Sequence, residues 1–373
     1  MTPLVKRRVG LSMLAALIVR LALWAHLGRA HDGRMRADSV SYRIPAINLL
    51  EHGAFSGSTK PPLVAETFRT PGYSAFLAAH RLLSPEIRWP ALTQTLLDVG
   101  TAGLAAACAQ LLAPGPWVWI AAALYALEPM TVAHAPLILS ESFFGFLLVL
   151  SLFCLLRAGP EGRAGCAATA GLLLGAAVLT RPIALYLWLP LGAALVWVWR
   201  KHARGAAAFV FCSALLPGLW CLRNQRLFGA FALTSLPGVN LLYYDAAAVE
   251  AATVGMPVAA AAQELKMRFE AEHRGVANPF EVSRLQSALA RRVIAARPAA
   301  LLRVHAISGV KMLAGPGIEL IAQEVYGDRG ETQEDRAHVV SGRGTLDMLK
   351  RYPLLWTFAL WEAFVLGAVY LLS

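Results

Sequence analysis

Apolar runs near twenty residues long recur about nine times along the chain, and each is long enough to cross a hydrocarbon core about 30 Å thick. They lie near residues 9–27, 91–112, 117–135, 138–156, 164–180, 183–199, 205–222, 299–321 and 354–372. Backbone groups in lipid have no water to bond, so such runs are expected as helices. Composition agrees: 57% of the 373 residues are apolar and only 15% are charged, where a soluble domain runs nearer about 25% charged. The expectation is an all-α polytopic membrane helix bundle of about nine spans.

Lys6, Arg7 and Arg8 precede the first run, no small-residue cleavage site follows it, and Arg20 interrupts it. It therefore reads as a retained span rather than a signal peptide. Short cytoplasmic loops collect Lys and Arg. The first basic cluster, Arg157 with Arg163, and the stretch holding Arg200, Lys201 and Arg204 fall on one side when the spans are counted in order. That side reads as cytoplasm, and the segments 28–90 and 223–298 then face outward. Three regions are expected: a membrane core over 1–222 that includes the outer loop 28–90, an outer helical loop over 223–298, and C-terminal membrane helices over 299–373.

The net charge of +11, with no zinc-ligand spacing and no basic low-complexity arm, suits anionic headgroups and phosphates better than nucleic acid. Cys108, Cys154, Cys166, Cys212 and Cys221 all fall in or beside apolar runs and read as small buried residues, not as a disulfide or metal framework. In the second outer segment, Ala261, Leu265 and Phe269 repeat every four residues, as do Leu285, Leu289 and Val293 after Asn278, Pro279 and Glu281. Both patterns predict helices, the second with Asn278 as N-cap, whose apolar stripes lie on the membrane domain. The run Leu233 to Leu242, with Pro237 and Gly238, predicts an irregular surface loop.

The first outer loop holds the residues best suited to chemistry. Tyr42, Ala46 and Leu49 or Leu50 share a helical face with Asp38 at its start. A carboxylate there serves either as a helix cap or as a general base at the membrane surface. Arg69, Arg181 and Arg223 fall at the outer interface by span count, where each either snorkels or grips a phosphate through its planar fork. Glu66 stands three residues before Arg69, the spacing of a local ion pair. Glu141 opens the fourth run, where the helix dipole favours an acidic group. Glu128 and His134 match no standard metal spacing.

Taken in order, Asp38-Ser39-x-x-Tyr42, Arg69-Thr70-Pro71-Gly72-Tyr73, Ser140-Glu141, Leu179-Thr180-Arg181-Pro182, and Trp220-x-x-Arg223-Asn224 with Phe228-Gly229 form a set. The set resembles the GT-C membrane glycosyltransferases, more narrowly the bacterial branch related to protein O-mannosyltransferases and to the ArnT aminoarabinose transferases. The resemblance implies a helix bundle with a large first outer loop carrying interfacial helices, here with a shorter C-terminal part than in the family. It implies an inverting enzyme at the outer face of a bacterial inner membrane, which takes a sugar from a polyprenyl-phosphate donor to a lipid, glycan or protein acceptor. Asp38 is then the catalytic base, Glu141 a second acidic residue of the site, and Arg69, Arg181 and Arg223 the donor-phosphate ligands. Tyr42, Glu66, Tyr73 and Asn224 support them.

No cofactor is expected, because arginines can stabilise a phosphate leaving group without a metal. Asp38, Glu66 and Glu141 converging in space on Mg²⁺ or Mn²⁺ is the alternative. Two other classes share the topology: a transporter or flippase, which should show paired repeats, and a ligase or polymerase of lipid-linked glycans, which should rely on basic and His residues of its late outer loop.

Overall fold

The computed structural model of the chain describes residues 1–28 and 33–314. Among them the chain is helical, with no strand pairing beyond one bridge between Ser56 and Ala65. The first seven helices are α1 (Pro3–Leu27), α2 (Ala37–His52), α3 (Pro71–Arg81), α4 (Arg88–Leu112), α5 (Trp117–Leu127), α6 (Pro129–His134) and α7 (Glu141–Ala158). There follow α8 (Ala164–Thr180), α9 (Trp188–Val198), α10 (Ala203–Phe228), α11 (Leu236–Asn240), α12 (Ala247–Val254), α13 (Val258–Glu272), α14 (Pro279–Ala295) and α15 (Pro298–Ala314).

Four of these, α1, α4, α7 and α10, are long and apolar enough to cross a membrane, and α5, α8 and Pro182–Leu195 are shorter apolar helices. The expected run 299–321 begins as α15, while the run 354–372 lies outside the described residues.

Three expected spans change shape, each for a local reason. The run 117–135 breaks into α5 and α6 at Glu128-Pro129, because proline brings no N–H to continue the ladder. The Glu128 carboxylate instead starts a new helix by accepting the N–H groups of Met130 at 3.1 Å and Thr131 at 2.5 Å. The run 183–199 divides into a 3-10 turn, Pro182–Leu187, and α9. The run 205–222 is extended: α10 continues to Phe228 and stops at Gly229, whose φ of 71° is the left-handed cap that favours glycine. Arg223 and Asn224 therefore belong to the last turns of a long helix rather than to the outer segment.

The most extensive helix contact joins α8 to α10. A Cβ added at Gly171 would fall 2.4 Å from the Phe209 carbonyl oxygen, and one at Gly175 would fall 2.9 Å from that of Ser213. Two glycines one turn apart thus let the two backbones touch, the small-residue packing that serves helices in lipid. On the other side of α8, Ser151 of α7 donates its hydroxyl to the Ala170 carbonyl at 2.7 Å.

A second device holds α1 to the bundle. Arg20 and Asp98 are 0% and 1% exposed and pair at 2.5 Å. Arg20 also donates to the carbonyls of Ala126 at 2.6 Å and Tyr125 at 3.3 Å and to the Thr131 hydroxyl at 3.1 Å, while the Tyr125 hydroxyl donates to Asp98 at 2.7 Å. One guanidinium thereby ties α1 to α4, α5 and α6 and occupies the carbonyls freed where the helix breaks before Pro129.

Residues 236–295 form a helical unit with its own core. The Leu233–Leu242 stretch is not an irregular loop there: α11 runs into a π-helical turn, Leu241–Ala246, and Leu242 is fully buried. The stripes predicted on α13 and α14 do form, and Asn278 caps α14 by accepting the Phe280 N–H at 3.0 Å. They pack with Leu242, Ala246 and Ala251 into a shared cluster that contains Ala261, Leu265, Phe269, Leu289 and Val293, which corrects their expected docking onto the membrane domain. The unit joins α10 where Asn278 donates to the Phe228 carbonyl at 2.8 Å and Phe280 meets the Phe228 ring at 5.5 Å.

Removing one partner of the buried pair leaves an uncompensated charge. Asp98→Ala is expected to cost about 3–5 kcal/mol, read as a large drop in the thermal unfolding midpoint in detergent, and the paired change of Arg20→Met with Asp98→Leu is expected to recover only part of it, because the Ala126 and Tyr125 carbonyls then lose their donor.

Candidate active site

Helix α2 begins after Arg36, whose N–H is accepted by the Ser39 hydroxyl at 2.8 Å. Asp38 is thus a first-turn residue rather than the cap. Asp38, Ser41 and Tyr42 follow at i, i+3 and i+4 and share one face, and all three hold one guanidinium. Arg69 pairs with Asp38 Oδ1 at 2.8 Å, donates through Nε to Ser41 Oγ at 2.9 Å and through Nη1 to the Tyr42 hydroxyl at 3.0 Å, and lies 4.5 Å above the Tyr42 ring. All three of its nitrogens are engaged. Its side chain is 14% exposed, whereas that of Asp38 is 63% exposed, so the carboxylate is held from behind and open in front.

The expected ion pair between Glu66 and Arg69 is not formed. Glu66 Oε1 accepts the backbone N–H groups of Thr67 at 3.0 Å, Phe68 at 2.6 Å and Arg69 at 3.2 Å. Three amides crowded into a tight turn compete for the carboxylate and leave the Arg69 side chain to reach α2. The same turn is fastened to the chain after α10: the Thr234 hydroxyl donates to the carbonyls of Thr67 at 3.0 Å and Phe68 at 2.6 Å, and the Ser235 N–H donates to Thr67 O at 2.8 Å.

A second arginine and carboxylate meet where α7 begins and α8 ends. Arg181 is the C-cap of α8 and Glu141 the first residue of α7, and they pair at 2.5 Å with side chains 37% and 36% exposed. Arg181 also donates to Ser140 Oγ at 3.3 Å, and Ser140 Oγ lies 3.2 Å from the Tyr42 hydroxyl. The other Glu141 oxygen, Oε2, is buried without a hydrogen-bond partner.

The Arg-Thr-Pro-Gly-Tyr motif explains how Arg69 comes near Arg181. Pro71 starts α3, and a Cβ on Gly72 would fall 2.6 Å from the backbone of Leu179 and Thr180. Only glycine lets α3 rest directly on the end of α8. Tyr73 follows, fully buried, edge-on to Tyr42 at 5.1 Å and donating to Gln94 at 2.7 Å. Burial, with Glu141 and Tyr42 nearby, pushes its phenol well above the usual range, which makes it a fixed donor and not a proton carrier.

Gln94 in turn donates to the carbonyls of Ala135, at 3.0 Å, and of Leu137. Ser39 donates to the Ile138 carbonyl at 2.7 Å, and the Ile138 N–H reaches Arg34 O at 2.9 Å. The irregular segment that presents Ser140 and Glu141 is thus held from α2 and α4.

Arg223 stands apart from the other two arginines. It donates to the Glu66 carbonyl at 2.8 Å and to Asn224 Oδ1 at 2.7 Å, and lies 4.6 Å from the Trp220 ring centre. Asn224, fully buried, donates to Ala232 O at 2.7 Å, and Trp220 to Leu233 O at 2.9 Å. This motif folds the chain leaving α10 back toward the 66–69 turn.

The structure therefore joins Asp38, Tyr42, Arg69, Glu141 and Arg181, places Tyr73 beneath them, and attaches Glu66, Arg223 and Asn224 at the side. Neither Ser41 nor the linking position of Ser140 is among the sequence expectations. Ser41 was signalled by its helical spacing from Asp38; the Tyr42–Ser140 contact spans 98 residues and leaves no trace in local sequence.

Asp38 and Glu141 each face an arginine and Glu66 faces amides, so the three carboxylates share no oxygen cage. Among the described residues no group of three or more His, Cys, Asp or Glu side chains is gathered as a metal site. Glu128 is spent as a cap, and His134 Nδ1 lies 2.7 Å from Met130 O. The five cysteines are free, with Cys108 and Cys221 buried and the others half-buried.

Gly72→Ala is expected to force α3 off α8 at a cost of about 1–3 kcal/mol, seen as a lower thermal midpoint. Gly10→Ala, where the added carbon meets nothing within 4 Å, should leave the midpoint in place or raise it.

Searches for similar proteins found no matching family model, no matching curated protein and no matching solved structure.

Proposed function

We propose that the chain is an inverting glycosyltransferase of the GT-C type, moving a sugar from a polyprenyl-phosphate donor to an acceptor at the outer face of a bacterial inner membrane. The observation that carries this reading is the Asp38–Arg69 unit: an exposed carboxylate held by an arginine whose every nitrogen is engaged by one helix face. A base must be fixed in direction yet open to its proton donor, and this arrangement meets both needs.

In this reading the acceptor oxygen attacks the anomeric carbon from the side opposite the phosphate, and Asp38 takes the acceptor proton. The new carbon–oxygen bond forms as the bond to the phosphate oxygen breaks, and the prenyl phosphate leaves with the electron pair. Its charge is met by Arg181, the arginine of the pair with 37% of its side chain exposed. In this reading Arg69 holds the base, since each of its nitrogens already bonds a residue of α2. Arg223 contributes through the turn at Glu66 to Arg69. The orientation follows the basic loops, with Lys6, Arg7 and Arg8 cytoplasmic and α2 outside.

Purified protein given a panel of polyprenyl-phosphate sugars should yield a product whose mass names the sugar. Asp38→Asn keeps size and polarity but cannot take the proton, so turnover should fall by about 10²-fold to 10⁴-fold at equal expression; near-normal turnover would refute the assignment.

Arg181→Lys keeps the charge and loses the fork. Its apparent donor affinity is expected to weaken roughly tenfold, the scale of one charge-assisted hydrogen bond, with Arg223→Lys less affected in donor titrations. Equal and unchanged affinities for both variants would remove Arg181 from the donor site.

A further inference from the structure

The two arginine–carboxylate pairs are joined through two hydroxyls, and the join is the least ordinary feature of the site. Ser140 is the N-cap residue of α7, a position where serine usually accepts an N–H of the first turn. Here it makes no such bond. Its hydroxyl turns away from the helix to the Tyr42 hydroxyl at 3.2 Å and to Arg181 Nη1 at 3.3 Å.

Both residues are shielded, Ser140 at 0% exposure and Tyr42 at 6%, so water does not compete with these bonds. Each hydroxyl oxygen also accepts from an arginine, Tyr42 from Arg69 and Ser140 from Arg181. Neither hydroxyl proton can then point at its arginine. One is taken by the neighbouring hydroxyl, and the pair is ordered by the charges at both ends.

We propose that Tyr42 and Ser140 are positioning residues that link the donor-side pair, Arg181 with Glu141, to the base-side pair, Arg69 with Asp38, so that an occupied Arg181 sets the direction of the base. The proposal rests on the glycosyltransferase reading above. Tyr42 is suited to the role because it holds Arg69 both by its hydroxyl, at 3.0 Å, and by its ring, at 4.5 Å. Any shift of the Tyr42 hydroxyl is therefore a shift of the guanidinium that fixes Asp38. Misplacing a reacting group by about 1 Å costs up to about 10²-fold in rate, enough for so small a link to govern turnover.

The test is a cycle of Tyr42→Phe, Ser140→Ala and the double variant in the full chain, with kcat and donor KM measured for the polyprenyl-phosphate sugar the wild type accepts. Phenylalanine keeps the ring under Arg69, and alanine at 140 removes no helix cap, so thermal midpoints should stay close to wild type. Each single variant should lose roughly 10-fold to 100-fold in kcat with donor KM within about threefold. The double variant should be no worse than either single, because both break one link, and Ser140→Thr should restore activity by restoring the hydroxyl.

Unchanged kcat in the singles, multiplied losses in the double, or no rescue by threonine, all with Asp38→Asn inactive, would overturn the link and leave the enzyme reading standing. A wild type that transfers no sugar, or an Asp38→Asn variant that transfers normally, would overturn the enzyme reading and this role with it.

Discussion

The segment from Ala135 to Ser140 crosses the interior without a helix of its own, and a chain buried among apolar helices cannot leave such carbonyls unpaired. Side chains from outside supply most of its carbonyl partners: Gln94 takes Ala135 and Leu137, Thr95 adds a second donor to Ala135 at 3.1 Å, and Ser39 takes Ile138. These bonds fix where α7 can start, and so fix Ser140 and Glu141. Gln94 is itself oriented by Tyr73, which belongs to the motif that carries Arg69. Satisfying one irregular backbone segment thus orders both ends of the candidate site.

Much of the helical architecture was legible, since period and length announce an apolar helix whatever it packs against. The breaks were less so. Glu128-Pro129 reads as one residue of each kind inside an apolar run, and only its capping geometry shows that the helix restarts. Arg20 was visible as an anomaly, but its partner Asp98 stands 78 residues away, and nothing local selects that carboxylate from the others. The π-helical turn at Leu241–Ala246 was hidden by Pro237 and Gly238, whose breaking tendency is overridden by the buried Leu242.

The candidate site was legible in its residue types and not in its connections. Asp38, Arg69, Glu141 and Arg181 stood out because charge beside apolar helices is costly. Spacing paired Glu66 with Arg69, and the structure pairs Arg69 with Asp38 instead, because backbone amides in a turn have a prior demand on the nearer carboxylate. The two ionic devices also differ in kind. Arg20 and Asp98 are sealed and saturated, as a fastening should be; Asp38 and Arg69 keep one partner in the open.

The seam between α8 and α10 has a geometric consequence for the arginines beyond it. Both helices run in the same direction along the contact, with Gly171 opposite Phe209 and Gly175 opposite Ser213. Measured from that shared mark at a rise of about 1.5 Å per residue, Arg181 lies six residues on and Arg223 ten. The glycine pair therefore works as a ruler: it staggers the backbone positions of the two arginines by about one helical turn along the axis. A bulkier residue at either glycine would change the reach between two charges that it never touches.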